Sequence, residues 1–536
     1  NNPYTGTIFS AMGADPVTPV FRNNLVDVPD LLSQIYTGYE PNNVYSQYSG
    51  ILFSNKRNPV AQIERMRQSV YEYFYVKGGA DIEVKFFDFL KFNSRFSMDL
   101  SRSTTDGFQP KYTLNSNDYS NNNKLVANNS RSEYFVWEQL LNYDQTFGKF
   151  KIGAMLGTSA EVTNVSSVSA SIEGFTTNDS DMAILNNGTE NAIVQGYPYS
   201  NALVSVFGRV SLDYAGKYLL AANLRYDGSS KFAKGHKWGL FPSVSAAWRF
   251  SDEAFLESAK GWLSDGKLRV SYGHIGNQNI SGGAYMSTYG STIYDRYNFG
   301  SPSTAVIGAG ITSVGNPVLM WETSKQFDVG LDLSFFDNSL DFVADYFVKD
   351  IDHMLMQEPV PGTLGLPTFP YSNVGSMRNE GWEFGLTYRK TFGEWFFTAS
   401  ANISTYKNTV TSLGNGDAIY GSAYNDNTIT KTEVGKPVGY FYGYVTNGIF
   451  QNAEQVEGSA QRETATPGDI RFKDLDGNDI LDDADRTMIG SPWPDFVYGL
   501  TLGAAWKGFD FNLFLQGSQG NDIMNMTLYD FESGTG

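Results

Sequence analysis

The chain has 536 residues, enough for several soluble domains or for one very large barrel. Charged residues make up only 18% and aromatics 15%, and 57 acidic against 39 basic residues leave a net charge of −18. That acidity argues against nucleic acid as a partner, because phosphate recognition needs a basic surface; zero cysteines exclude disulfides and thiolate metal sites.

No run of apolar residues is long enough for a transmembrane helix, which takes roughly 18 or more in succession. A negative mean hydropathy does not remove the membrane, since a barrel strand alternates lipid-facing with lumen-facing residues and stays polar on average. Residues 1–6 carry neither a basic segment nor an apolar one, so an export signal is expected to be already removed or to lie upstream.

Taken in chain order, short turns and long segments alternate. Asp88-Phe89 and Phe147-Gly148 read as tight turns, separated by the long segment 104–131 and followed by a second one, 161–203. Then Val206, Val210 and Leu212 oppose Arg209 and Asp213; after Ala215-Gly216, Leu220, Ala222 and Leu224 oppose Asn223 and Arg225. The segment 252–266 falls on the short-turn side, where Glu253, Ala254, Phe255 and Leu256 are expected to form a short interfacial helix. After the long segment 276–322, residues 323–335 give the clearest period of two. Phe327, Val329, Leu331, Leu333 and Phe335 share one face, and Gln326, Asp328, Gly330, Asp332 and Ser334 the other.

Beyond the turn Asp337-Asn338, Leu340, Phe342, Ala344, Tyr346 and Val348 alternate against Asp341 and Asp345. Segment 351–378 is long again. Trp382, Phe384, Leu386 and Tyr388 then oppose Glu383, Thr387 and Arg389, and after Gly393-Glu394, Phe397, Ala399, Ala401 and Ile403 oppose Ser400, Asn402 and Ser404. The longest connection is 408–495. After Gly508, Phe509, Phe511, Leu513 and Leu515 oppose Asp510, Asn512 and Gln516.

About fourteen strands fit between Ser69 and Ser518, each long enough to cross a bilayer at a tilt, which takes roughly 9–11 residues. Short turns on one side and long loops on the other are the mark of an outer-membrane barrel whose long loops are extracellular. A soluble sandwich or propeller would show strands of about 5–6 residues and a turn every 8–12. Aromatic strand ends at Trp248, Phe250, Tyr388, Phe392 and Trp506 suit interfacial girdles. The expected fold is all-β: a large antiparallel transmembrane β-barrel, with 1–536 part of one barrel domain.

Several stretches occur in a fixed order: Arg225-Tyr-Asp-Gly-Ser-Ser-Lys-Phe232, Phe241-Pro-Ser-Val-Ser-Ala-Ala-Trp248, Ser251-Asp-Glu-Ala-Phe255, Lys267-Leu-Arg-Val-Ser-Tyr-Gly273 and Gly276-Asn277. Trp321-Glu322, Asn373-Val-Gly375, Asn379-Glu-Gly-Trp-Glu383 and Gly468-Asp-Ile-Arg-Phe472 continue it. Together, across nearly the whole chain, they resemble the SusC/RagA family of TonB-dependent outer-membrane transporters.

The resemblance implies a barrel of about 22 strands enclosing a plug, so the N-terminal plug domain and some strands are expected to be absent from this chain. It implies active import of bulky nutrients, either oligosaccharides or oligopeptides, across the outer membrane of a Gram-negative, Bacteroidetes-like bacterium. The implied partners are a SusD/RagB-like surface lipoprotein, the TonB complex acting through the plug, the lipid bilayer and a second transporter–lipoprotein pair, giving a dimer of pairs. A passive porin, an adhesin or a structural barrel is the alternative use of the same fold.

The sharpest local motif is the acidic stretch 474–485. Laid on an EF-hand-type loop, Asp474, Asp476 and Asn478 take positions 1, 3 and 5, Ile480 offers its carbonyl at 7, and Asp482 and Asp485 take 9 and 12. Calcium needs six to eight hard oxygens, which alternate positions of a tight loop supply. Asp479 at position 6 and aspartate at position 12 depart from that pattern, and a solvated acidic turn would carry the same residue types. Tyr285, Tyr289, Tyr294 and Tyr297 could present flat faces to a sugar or peptide, or pack among themselves. Gly439-Tyr-Phe-Tyr-Gly-Tyr444 resembles a loop segment of that family and is open to a structural reading as well. Three scattered histidines (His236, His274, His353) and the lack of any nucleophile or phosphate-loop motif point away from an enzyme.

Overall fold

The computed structural model describes residues 69–113, 119–291, 296–300, 304–358, 362–365, 369–414, 418–421, 423–424, 427–526 and 528, with Ala11, Val20, 59–60 and Ile63 as isolated positions before them. Fourteen antiparallel strands form one sheet, each paired with its neighbours in sequence. They are β1 (Ser69–Phe87), β2 (Leu90–Gln109), β3 (Lys124–Phe147), β4 (Phe150–Glu173) and β5 (Glu190–Tyr214). Next come β6 (Tyr218–Ser229), β7 (Trp238–Arg249), β8 (Leu263–Asn277), β9 (Glu322–Phe335) and β10 (Leu340–Asp352). The last four are β11 (Ser376–Phe392), β12 (Trp395–Ser412), β13 (Phe496–Trp506) and β14 (Phe509–Gln519). An up-and-down order of this kind lets every interior strand satisfy its backbone donors and acceptors laterally, which a bilayer without water demands.

The pairing fixes the faces. Gly330 of β9 sits opposite both Arg269 of β8 and Asp345 of β10, so these three share a face with Asp328 and Asp332. The other face carries exposed apolar side chains along most strands: Ile82, Leu156, Leu224, Leu240, Phe327 and Leu515 among them. The charged face is the inside of the curved sheet and the apolar face the outside, as the period of two in 323–335 requires.

Short turns gather at one rim, at 88–89, 148–149, 215–217, 336–339, 393–394 and 507–508. The turn 336–339 is sharp: Phe336, Asp337 and Asn338 take φ of 54°, 56° and 62° in succession, a left-handed conformation that aspartate and asparagine tolerate and phenylalanine rarely adopts. Aromatic rings crowd this rim, with Trp395 against Trp506 at 5.2 Å and Trp262 against Phe335 at 6.0 Å. The interfacial segment forms two short 3-10 helices, Phe250–Asp252 and Ala254–Ala259. Between them Glu253 accepts from Tyr218 Oη at 2.7 Å, Lys217 Nζ at 3.2 Å and Trp248 Nε1 at 3.2 Å, tying the rim to the ends of β6 and β7.

One boundary differs from the sequence reading. Segments 104–131 and 161–203 are mostly strand: β2 to β5 run on to Gln109, Lys124, Glu173 and Glu190, leaving connections of only 110–123 and 174–189. These strands have 20, 24, 24 and 25 residues, while β6 and β7 have 12 each. The apolar alternation that signals lipid stops near Phe135 and Val162, but serine, threonine and asparagine continue the ladder as a wall standing clear of the membrane. At about 3.3 Å per residue, a dozen extra residues add roughly 40 Å of strand.

Candidate functional site

The inner surface has two zones. Across the membrane band, inward positions carry charges that pair between strands. Arg269 Nη2 donates to Asp332 Oδ1 at 2.7 Å and to Asp345 Oδ1 at 2.9 Å, Lys267 Nζ lies 2.7 Å from Asp332, and Arg389 Nη1 lies 2.5 Å from Asp341. On the first hairpin, Arg95 meets Asp81 at 2.9 Å. Higher up, inward positions carry hydroxyls, amides and tyrosines: Ser101, Ser103 and Thr105 of β2, Asn128 and Ser130 of β3, and Ser167 and Ser169 of β4.

Sequence reasoning missed the tyrosines of this upper zone. Tyr71, Tyr73 and Tyr75 alternate along β1 with successive ring centroids 6.3 Å apart and planes within 10°. Tyr197 and Tyr199 of β5 repeat the arrangement at 6.5 Å, and Tyr134 of β3 donates to Glu161 at 2.9 Å. The signal was present as tyrosine at every second position. It went unread because β1 is aromatic on both faces, which blurs the alternation.

At the outer ends of β6 to β9 the connecting segments are pinned. Phe232, Ile280 and Leu319 are buried with Phe241 and Trp321 in one cluster. Trp321 Nε1 donates to the Lys237 carbonyl at 2.9 Å. Arg225 donates to Asp227 at 2.8 Å and to the buried Ser205 at 2.7 Å while covering the Phe207 ring. The stretch 225–232 therefore forms a structural latch between barrel wall and loop.

Residues 19–522 match the family model described as TonB dependent receptor-like, beta-barrel. This chain belongs to that family. TonB-dependent receptor P3 of Formosa agariphila is 33% identical over 456 residues, covering 84% of this chain and 45% of the relative. TonB-dependent receptor SusC of Bacteroides thetaiotaomicron is 26% identical over 545 residues, covering 99% and 52%. The structure of the RagAB peptide transporter superposes with a TM-score of 0.76 at 21% identity, covering 91% of this chain and 52% of that one, a likeness of fold. The chain thus spans about half the length of the curated relatives it matches.

On this receptor barrel the segment between β12 and β13 builds a small outer sheet from Ile419–Tyr420, Thr430–Thr432, Tyr440–Tyr444 and Arg486–Gly490. Tyr440 and Tyr442 are buried in it, so the stretch 439–444 is structural. Lys431 and Arg486 lie 4.8 Å and 4.7 Å from the Tyr442 ring, and Tyr440 Oη donates to Glu433 at 2.8 Å.

Arg486 directly follows the acidic loop. Asp474, Asp476 and Asp485 each place a carboxylate oxygen within 4.8 Å of the others, the one such acidic group among the described residues. Asp485 is fully buried and accepts the Leu475 N–H at 2.6 Å and the Asp482 N–H at 3.0 Å. These two backbone bonds hold its carboxyl below the usual range. Asp479 takes φ of 60°, supplying at position 6 the left-handed bend that glycine gives an EF-hand loop. Asp482 is not part of this group. Asp482 caps the short helix Asp483–Asp485 by accepting from the Ala484 N–H, and Asn478 Oδ1 accepts from the Ile480 N–H at 2.7 Å.

The aromatic loop is not one patch. Tyr289 lies in the short strand Thr288–Gly290, and Tyr297 in the hairpin of Arg296–Phe299 with Thr304–Ile307, its ring 4.7 Å from Phe299. Both are exposed, Tyr285 is half-buried, and Tyr294 lies outside the described residues.

Proposed function

We propose that the full-length protein imports a bulky nutrient across the outer membrane, drawing energy from the TonB complex and receiving cargo from a SusD/RagB-like surface lipoprotein. The observation that carries this is the two-zone inner wall on a barrel of the TonB-dependent receptor family. A charged lower lumen suits contact with an energised internal domain. A tall upper wall in which tyrosines, hydroxyls and amides outnumber charges suits capture of a large, hydroxyl-rich ligand. Between the two cargo classes, that wall favours an oligosaccharide over an oligopeptide with charged termini, since tyrosine pairs an apolar face with a hydroxyl. The test is mass spectrometry of material retained by the protein extracted intact from outer membranes: glycan is expected, and peptide would reverse the cargo assignment.

In the same reading the loop 474–485 holds one calcium ion with Asp474, Asp476 and Asp485 at its centre and braces the outer sheet where the lipoprotein would dock. Two pairs of transporter and lipoprotein then associate as a dimer. A passive pore or adhesin is the competing use, and dependence of uptake on TonB separates them.

A further inference from the structure

The outer surface of the wall changes character at one level. On β2, β3 and β4 the outward row Met98, Phe135 and Val162 is apolar, and the next row up pairs Leu100 with Glu133 and Glu133 with Asn164. One row higher, Phe74 of β1 lies opposite Arg102, Arg102 opposite Arg131 of β3, and Arg131 opposite Ser166. Two arginines directly across from one another are unfavourable in a sheet unless something anionic joins them. Arg131 contacts Glu133 on its own strand, whereas Arg102 has no carboxylate partner among the described residues. A groove of about 690 Å³ opens between them, lined by Phe74, Leu100, Arg102, Arg131, Glu133 and Val168.

We propose that this groove binds the phosphorylated headgroup of an outer-leaflet glycolipid. The place fits: the row stands just above the apolar band, on the face that meets lipid, where headgroup phosphates lie. The chemistry fits as well. Two guanidinium forks can each engage a phosphate bidentately, and Phe74 and Leu100 offer apolar surface to the upper ends of the acyl chains. A free phosphate could satisfy the arginines but has no use for the apolar lining, so the lipid is the occupant.

This inference rests on the outer-membrane reading above, and the experiment separates the two. Full-length protein is purified in detergent and offered bisphosphorylated lipid A, dephosphorylated lipid A or inorganic phosphate, with retention read by native mass spectrometry. Wild type is expected to retain the bisphosphorylated lipid, and Arg102→Gln with Arg131→Gln to lose about 10–30-fold in retention. Arg102→Lys with Arg131→Lys, which keeps the charge and removes the forks, is expected to fall between them. Equal retention by wild type and the glutamine pair, or equal binding of dephosphorylated lipid, would overturn the proposal. So would competition by inorganic phosphate at the concentration of the lipid. Failure of the wild type to float with membrane vesicles would instead sink the membrane reading itself.

Discussion

Asp485 shows how one side chain holds a loop. Its oxygens take the N–H groups of Leu475 and Asp482, so both ends of the acidic loop hang on one buried carboxylate. Asp485→Ala is expected to speed amide exchange at Leu475 and Asp482 by roughly tenfold or more, because two otherwise unsatisfied donors must then find water. Exchange rates unchanged from wild type would count against this role. The pH dependence follows from the lowered carboxyl. A depressed folded value means the contribution is fully present above the unfolded carboxylate range, near pH 4, and is lost as pH falls through the lower folded value. The loop is therefore expected to keep its exchange protection at pH 5 and to lose it only below about pH 4.

Calcium addresses the same residues. Isothermal titration of the full-length protein is expected to show one site at about 10⁻⁴–10⁻³ M, lost in Asp474→Ala with Asp476→Ala. No heat above the wild-type buffer blank would leave the loop an Asx-braced turn. A further residue-scale test sits on β9, where Leu331 faces outward and Asp332 meets Arg269 inside. Leu331→Arg should cost about 2–4 kcal/mol near the bilayer midplane. Leu331→Cys should take a lipid-soluble label and Asp332→Cys a water-soluble one, and the reverse labelling would mean the register is wrong.

Among the elements, the fourteen strands and their short turns were legible because lipid on one side and lumen on the other enforce a period of two. Phe327 to Phe335 could not be read any other way. The upper halves of β3, β4 and β5 were not legible as strand, since Asn128, Ser130, Ser167 and Ser169 lack the apolar half of the pattern. Such residues read as loop unless their cross-strand partners are known. The acidic motif was legible as a tight loop, but not the role of Asp482, which depends on helix capping rather than spacing. The upper wall leads to a topological expectation. Epitope tags in 174–189 should be reached by antibody on intact cells, and a tag at Asn338 only after the outer membrane is broken. Equal exposure of both would refute the orientation. The Arg269 bridge gives the matching stability test. Arg269→Leu leaves Asp345 without its cation and Asp332 with Lys267 alone, and should destabilise by about 1–2 kcal/mol, a figure reduced for the partial water access of the lumen, read from heat-modified migration of the barrel.

As a whole, the barrel wall divides its labour by height. Lipid contact lies outside, ion pairs line the lower lumen, a wall rich in tyrosine and hydroxyls rises above the membrane, and the segment between β12 and β13 carries the acidic loop and its outer sheet. Each part follows from which residue types tolerate lipid, enclosed water or open solvent. The central claim is that this wall serves energised import. The most direct measurement is uptake, by intact cells carrying the full-length gene, of the material that co-purifies with the protein, with and without functional TonB. The account predicts uptake that is lost when either the gene or TonB is removed; uptake that persists without TonB would make this barrel a passive pore.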